Sequence, residues 1–213
     1  MRAFFVSIVT FGLASATAAP AFATGKQVIC LKPAGGTSLP FWGSYLDGMR
    51  FQTLLKSGEI NYAGKITKVE YYRPSGAGGT FNNYKLYLCH TDKSSLSTTF
   101  ADNYKGTPVK AADLRSFTVK NAEGWFSLGM TTPFDYNDSY GLLVEIQWRG
   151  DTGVGISVYN GTLQATKLRV YAYNDPEAAV GKADNVPYYT RLSFGVYAAA
   201  SPTSLGRVKA LFR

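Results

Sequence analysis

His90 is the single histidine of this chain, and it sets a tight limit on chemistry. A metal centre built on two imidazoles is excluded, and a hydrolytic triad has one candidate base. No Gly-x-Ser-x-Gly elbow accompanies it. The histidine closes a run in which Tyr84, Leu86 and Leu88 share one face, so the reading it favours is structural: an imidazole bonded to nearby backbone just past a strand end. Cys89 precedes it directly, but adjacent strand residues point to opposite faces, so a thiol–imidazole pair would diverge.

The glutamates are Glu59, Glu70, Glu123, Glu145 and Glu177. A glycosidase needs two carboxylates facing each other across a cleft, and nothing in their spacing marks such a pair. Glu70 and Glu145 stand inside extended runs among basic or polar neighbours, where cross-strand pairing with Lys or Arg is the ordinary role. Asp135, Asn137 and Asp138, and separately Asp151, cluster oxygen side chains on loops. Neither run continues into the acidic loop with a terminal glutamate that calcium prefers, so both read first as turns and second as a structural calcium site. No other cofactor is expected. No catalytic residue is assigned, and the chain is not expected to be an enzyme.

Aromatic residues are the most unusual component, with 15 Tyr and 3 Trp. Tyr84 and Trp148 fall on core faces by alternation, whereas Tyr72, Tyr87, Tyr171, Tyr173 and Tyr188 fall on outer faces or in loops. Trp42 and Tyr45 stand together in a loop, where strand propensity does not explain them. Flat rings beside polar groups offer large contact area at low entropic cost. Trp42 and Tyr45 are therefore the candidate ligand-binding residues, with a glycan or other cell-surface polymer as partner. Cys30 and Cys89 are the only cysteines. They form a disulfide if the fold brings them together in an oxidising compartment, and are two buried thiols otherwise.

The elements that must position these residues are strands. Leu142, Val144, Ile146 and Trp148 alternate with Glu145 and Gln147, the period of a strand with one buried face. The same period runs through 83–89, 167–172 and 190–196, and further strands are expected at 28–31, 65–73, 114–119, 124–128 and 154–159. Gly, Pro, Asn and Asp clusters at 74–79, 105–108, 121–124, 132–138, 149–153 and 160–161 separate them as turns. One short helix of a turn or two is expected within 94–104. Many short strands with regular turns predict an all-β, two-sheet antiparallel sandwich, with a barrel as the alternative.

The succession Met49 to Leu55, Ser57 to Ile60, Phe81 to Thr91, Ser95 to Phe100, Gly124 to Phe126, Thr132 to Phe134 and Leu142 to Glu145 resembles a jelly-roll-type module of exported bacterial proteins, often a non-catalytic part. That family often shows Gly-His-Thr where this chain has Cys89, His90 and Thr91. The resemblance implies a jelly-roll-like fold more than it implies a function.

Residues 1–23 read as a secretory signal peptide: Arg2, a short apolar stretch, then small residues ending in Ala21 and Ala23. Residues 24–200 are then one sandwich domain, and the protein is expected to be secreted, either extracellular or at the cell surface. No later segment is apolar for the roughly 20 residues a spanning helix needs. The net charge of +8 is spread along the chain, which suits attraction to anionic surface polymers and not nucleic-acid recognition. Residues 201–213 form a basic amphipathic tail in which Leu205, Val208, Leu211 and Phe212 share a helical face beside Arg207, Lys209 and Arg213. It resembles the basic C-terminal tails of some exported bacterial proteins that act in sorting or surface attachment. These features together predict a non-catalytic binding or structural module of the cell exterior. A carbohydrate-binding module is the first alternative, a self-associating structural subunit or adhesin the next, and an extracellular hydrolase the last.

Overall fold

The structure, a computed structural model, describes residues 24–37, 39–43, 46–74, 76–151 and 155–195. The segment read as a signal peptide, Tyr45 and the segment read as a basic tail lie outside the described residues. The strands in chain order are β1 (Thr24–Cys30), β2 (Pro33–Thr37), β3 (Gly48–Leu55), β4 (Gly64–Arg73), β5 (Gly79–Thr91), β6 (Val109–Val119), β7 (Gly124–Ser127), β8 (Phe134–Tyr136), β9 (Gly141–Arg149), β10 (Val158–Gly161), β11 (Arg169–Tyr173), β12 (Lys182–Asp184) and β13 (Thr190–Gly195). One helical turn, α1 (Ser57–Ile60), follows β3. A 3-10 turn at Phe100–Asn103 is all that forms of the helix expected within 94–104.

Two antiparallel sheets make the sandwich. One runs β1-β13-β4-β7, with β8 also paired to β4; the other runs β12-β11-β3-β9-β5-β6. β10 and β2 form a separate ribbon. Within the two main sheets, only β5–β6 and β11–β12 are neighbours both in sequence and in space. The other pairings are made by chains that cross between or along the sheets, as sandwiches require.

The core between the sheets takes the faces that alternation assigns. Tyr84, Leu86 and Leu88 of β5 and Leu142, Val144, Ile146 and Trp148 of β9 meet Val69 and Tyr71 of β4 and Leu192 and Phe194 of β13. The fully buried Trp148 satisfies its indole N–H on the Pro40 carbonyl at 2.8 Å.

The six-stranded sheet is also covered on its other face. Leu54, Cys89, Leu96, Phe100, Leu143, Leu168 and Val170 make a second apolar cluster there. It is roofed by two segments tied to each other, with Phe100 N–H bonding Ala179 O at 3.1 Å and Gly181 N–H bonding Thr98 O at 2.9 Å. This corrects the expectation of one buried face for β9, since Leu143 and Glu145 are as deeply buried as their even-numbered neighbours. It also explains why β3 carries no alternating signal: it is the strand between β11 and β9, with Met49 and Phe51 in one cluster and Leu54 in the other.

Smaller differences have local causes. β8 forms inside the segment 132–138 that reads as a turn, because Phe134 and Tyr136 drop into the core. The strand expected at 154–159 lies at Val158–Gly161. Tyr188 is fully buried and not on an outer face. Its hydroxyl donates to Leu39 O at 3.0 Å and accepts from Arg169 Nη1 at 2.8 Å. Tyr171 and Tyr173 pack against the inner core from β11.

Candidate functional site: an aromatic face on the five-stranded sheet

β4 alternates Val69 and Tyr71 inward with Glu70 and Tyr72 outward, and register sets what stands beside them. Tyr72 pairs with Trp125 and Glu70 with Ser127 on β7, while Glu70 pairs with Arg191 on β13. β10 adds Tyr159, fixed by the Tyr189 N–H to Tyr159 O bond at 3.1 Å. Four half-buried rings therefore meet on the outer face, none of them adjacent in sequence.

Tyr72 stacks on Tyr159 with centroids 5.4 Å apart and planes 14° apart. Trp125 meets Tyr72 edge-on at 5.4 Å and lies 4.7 Å from Tyr189. The Arg191 guanidinium sits 4.6 Å over the Trp125 ring and grips Glu70 with two bonds, at 2.7 and 2.8 Å. This is the fork geometry that fixes an arginine in place. Tyr72 donates its hydroxyl to Glu123 at 3.1 Å, and that carboxylate holds the phenol above its ordinary pKa. Trp125 also lines a cleft of about 280 Å³ with Thr118, Lys120, Glu123 and Ser127. Arranged so, the face offers ring surface to apolar C–H groups and a rim of carboxylate, hydroxyl and ammonium groups to a polyhydroxylated ligand.

Of the residues singled out by sequence, Trp42 is 43% exposed and meets Tyr173 edge-on at 6.0 Å. It belongs to a separate aromatic pair beside β11, and its companion Tyr45 lies outside the described residues. The sequence places Tyr72 as an outer ring, whereas nothing in it distinguishes Trp125, Tyr159 and Tyr189. The outer placement of Tyr72 and the Gly124 to Ser127 run are the signals in the sequence, and neither reveals that β7, β10 and the residue preceding β13 converge on Tyr72.

His90 lies within β5 and not beyond it. Its ring stacks on Tyr136 at 5.6 Å and tilts against Phe134 at 5.0 Å, while Nε2 accepts the Asn137 N–H at 3.1 Å. Burial lowers its pKa, so the neutral form that this bond requires is favoured. Glu70 has the cross-strand arginine expected of it, and Glu145 has a diagonal one, Arg50 Nε at 3.0 Å. Asp135 pairs with Lys65 at 3.5 Å, and Asn137 closes its own turn onto Ser139 N–H at 3.3 Å. Among the described residues no three His, Cys, Asp or Glu side chains converge as a metal site.

Cys30 and Cys89 are both buried and free, the second of the two arrangements that the sequence leaves open. Cys30 lies in the core between the sheets, whereas Cys89 lies in the cluster beyond the six-stranded sheet. β5 itself stands between them, with Leu88 facing one cluster and Cys89 the other.

No protein-family model matches the chain, and no curated protein matches it. Among solved structures it is similar to the crystal structure of the cysteine protease and lectin-like domains of Cwp84, a surface layer associated protein of Clostridium difficile. Identity is 8% and the TM-score 0.42, over 70% of this chain and 33% of that one. This chain thus spans about a third of the length of that structure. No helix among the described residues is long and apolar enough to cross a membrane.

Proposed function

We propose that this protein is an exported, surface-associated binding module that acts without catalysis and holds carbohydrate on the aromatic face of its five-stranded sheet. The observation that carries the reading is the meeting of Tyr72, Trp125, Tyr159 and Tyr189 beside the Arg191–Glu70 pair. Rings so placed stay half-exposed although a core was available to them, and their rim supplies donors and acceptors for hydroxyl groups. The absence of catalysis is supported by the engagement of His90 Nε2 with a backbone N–H and by the packing of both oxygens of Glu145 against donors.

The test is affinity electrophoresis against a panel of soluble polysaccharides, comparing the parent protein with Trp125→Ala and Trp42→Ala. Retention by at least one polysaccharide, weakened about tenfold or more in Trp125→Ala, is the expected result; tenfold corresponds to about 1.4 kcal/mol. The bound polysaccharide is expected to be recovered uncleaved. A loss confined to Trp42→Ala would move the site to the β11 side, and retention by no polysaccharide would remove the carbohydrate reading.

A further inference from the structure

On the opposite side of the molecule, the six-stranded sheet leaves part of its outer face unroofed, and there the side chains change from apolar to basic. Lys85 of β5 pairs with Asp113 on β6 and with Gln147 on β9. Two residues along each strand, on the same face, stand Asn83, Arg115 and Arg149. These side chains line a cleft of about 450 Å³ whose far wall is Pro176 and Glu177. The wall is held in place from beneath, because Arg50 Nη1 bonds Ala178 O at 2.8 Å and Asn174 N–H bonds Gly48 O at 2.9 Å.

The basic groups of this cleft are only lightly engaged by the fold, Lys85 standing beside Asp113 without a close ion pair. Among the described residues, Lys85, Arg115 and Arg149 make no ion pair, whereas Asp113 is taken up by Lys110 at 2.7 Å. Three cations line the cleft against two carboxylates, Asp113, which Lys110 also partners from outside it, and Glu177, and this excess leaves the cleft attractive to anions. Arg115 and Arg149 stand on strands either side of β5, about 10 Å apart by two strand spacings. That separation suits acid groups repeated along a chain better than a single anion. Each guanidinium presents the fork that matches a carboxylate. The Asn83 amide and the Gln147 amide oxygen between them suit hydroxyl groups, and no aromatic ring lines the cleft to stack a nucleobase.

We infer that the cleft lined by Lys85, Arg115 and Arg149 is a second binding site, for an acidic polysaccharide that carries carboxylates on successive sugars. It does not depend on the aromatic face, which lies on the other sheet. One molecule could then hold two polymer strands, a charged one and a neutral one, on its two outer surfaces.

The probe is oligogalacturonate, titrated calorimetrically into the protein at low salt and again near physiological ionic strength. Its methyl-esterified form serves as the uncharged control, and poly-glutamate as the control for charge alone. Oligogalacturonate is expected to bind, with the dissociation constant raised tenfold or more in the Arg115→Gln/Arg149→Gln double variant and raised in Lys85→Gln alone. Lys167→Gln/Lys182→Gln, which removes the same charge from exposed positions outside the cleft, is expected to bind as the parent does. All five side chains are surface groups, and unchanged melting temperatures would establish that each variant is folded. Equal losses in the two double variants, equal affinity for poly-glutamate, or undiminished binding of the methyl ester would each overturn the inference.

Discussion

Glu145 is the most deeply buried carboxylate among the described residues, and its removal provides a quantitative test. It is 1% exposed, and its two oxygens accept from Arg50 Nε at 3.0 Å, Gln52 Nε2 at 2.6 Å, Gln147 Nε2 at 2.5 Å and the Tyr104 hydroxyl. Through Arg50 and Gln52 the same network reaches Ala178 O and Phe100 O, so it ties both roofing segments to the sheet. Glu145→Ala leaves the guanidinium without its carboxylate and strips one partner each from two amides and a phenol. Breaking one side of a buried pair costs about 3–5 kcal/mol. Arg50 keeps Ala178 O and the Tyr104 hydroxyl, at 2.8 and 2.9 Å, which puts the expected loss near the lower end, about 3 kcal/mol.

Urea unfolding at neutral pH measures this as a shift in midpoint at unchanged slope. Glu70→Ala is the internal comparison, because its carboxylate is also buried but holds only Arg191 closely, itself 22% exposed, where Glu145 holds four partners; the expected loss is smaller, about 2 kcal/mol. Segment 174–181 should also become protease-sensitive in Glu145→Ala before the protein unfolds globally. A loss below about 1 kcal/mol, or one no larger than that of Glu70→Ala, would refute the claim that this network holds the roof.

Two further outcomes follow from the cysteines and the histidine. Burial pushes the Cys30 thiol up to about 12 and raises Cys89 as well, so a thiol reagent at mildly alkaline pH should label neither in the folded protein and both in urea. Reductant should leave the melting temperature unchanged, whereas a bond closing so long a loop would be worth about 4 kcal/mol, and a clear drop on reduction would contradict the two free thiols. Because burial holds His90 below its ordinary pKa, the unfolded chain takes up the proton first as pH falls through about 6.5. The stability associated with the neutral ring is therefore complete above that value and is lost as pH falls toward the folded pKa. Melting temperature plotted against pH should fall more steeply on the acid side for the parent than for His90→Gln, and parallel curves would discount the role given to the ring.

Much of the strand architecture can be read from single runs of residues. β5 and β13 show their inward faces by alternation alone, because each has one apolar and one largely polar side, whereas a register shift in β4 brings Ile66 and Val69 into the same core. The same pattern placed Tyr84 and Trp148 in the core and sent Cys89 and His90 to opposite faces. A lone histidine needs no fold to exclude a two-imidazole metal centre. Alternation fails where both faces are covered, and β3 is the clear case: Arg50, Gln52 and Leu54 face a roof that the sequence does not announce. It also says nothing about register or neighbours, which non-local pairing decides. Only the tertiary structure put β5 between the two cysteines, gathered Tyr72, Trp125, Tyr159 and Tyr189 from separate segments, and set Arg115 and Arg149 on either side of Lys85. A strand's sequence records which side meets the core, and the crossovers of the chain determine which other strand it meets there.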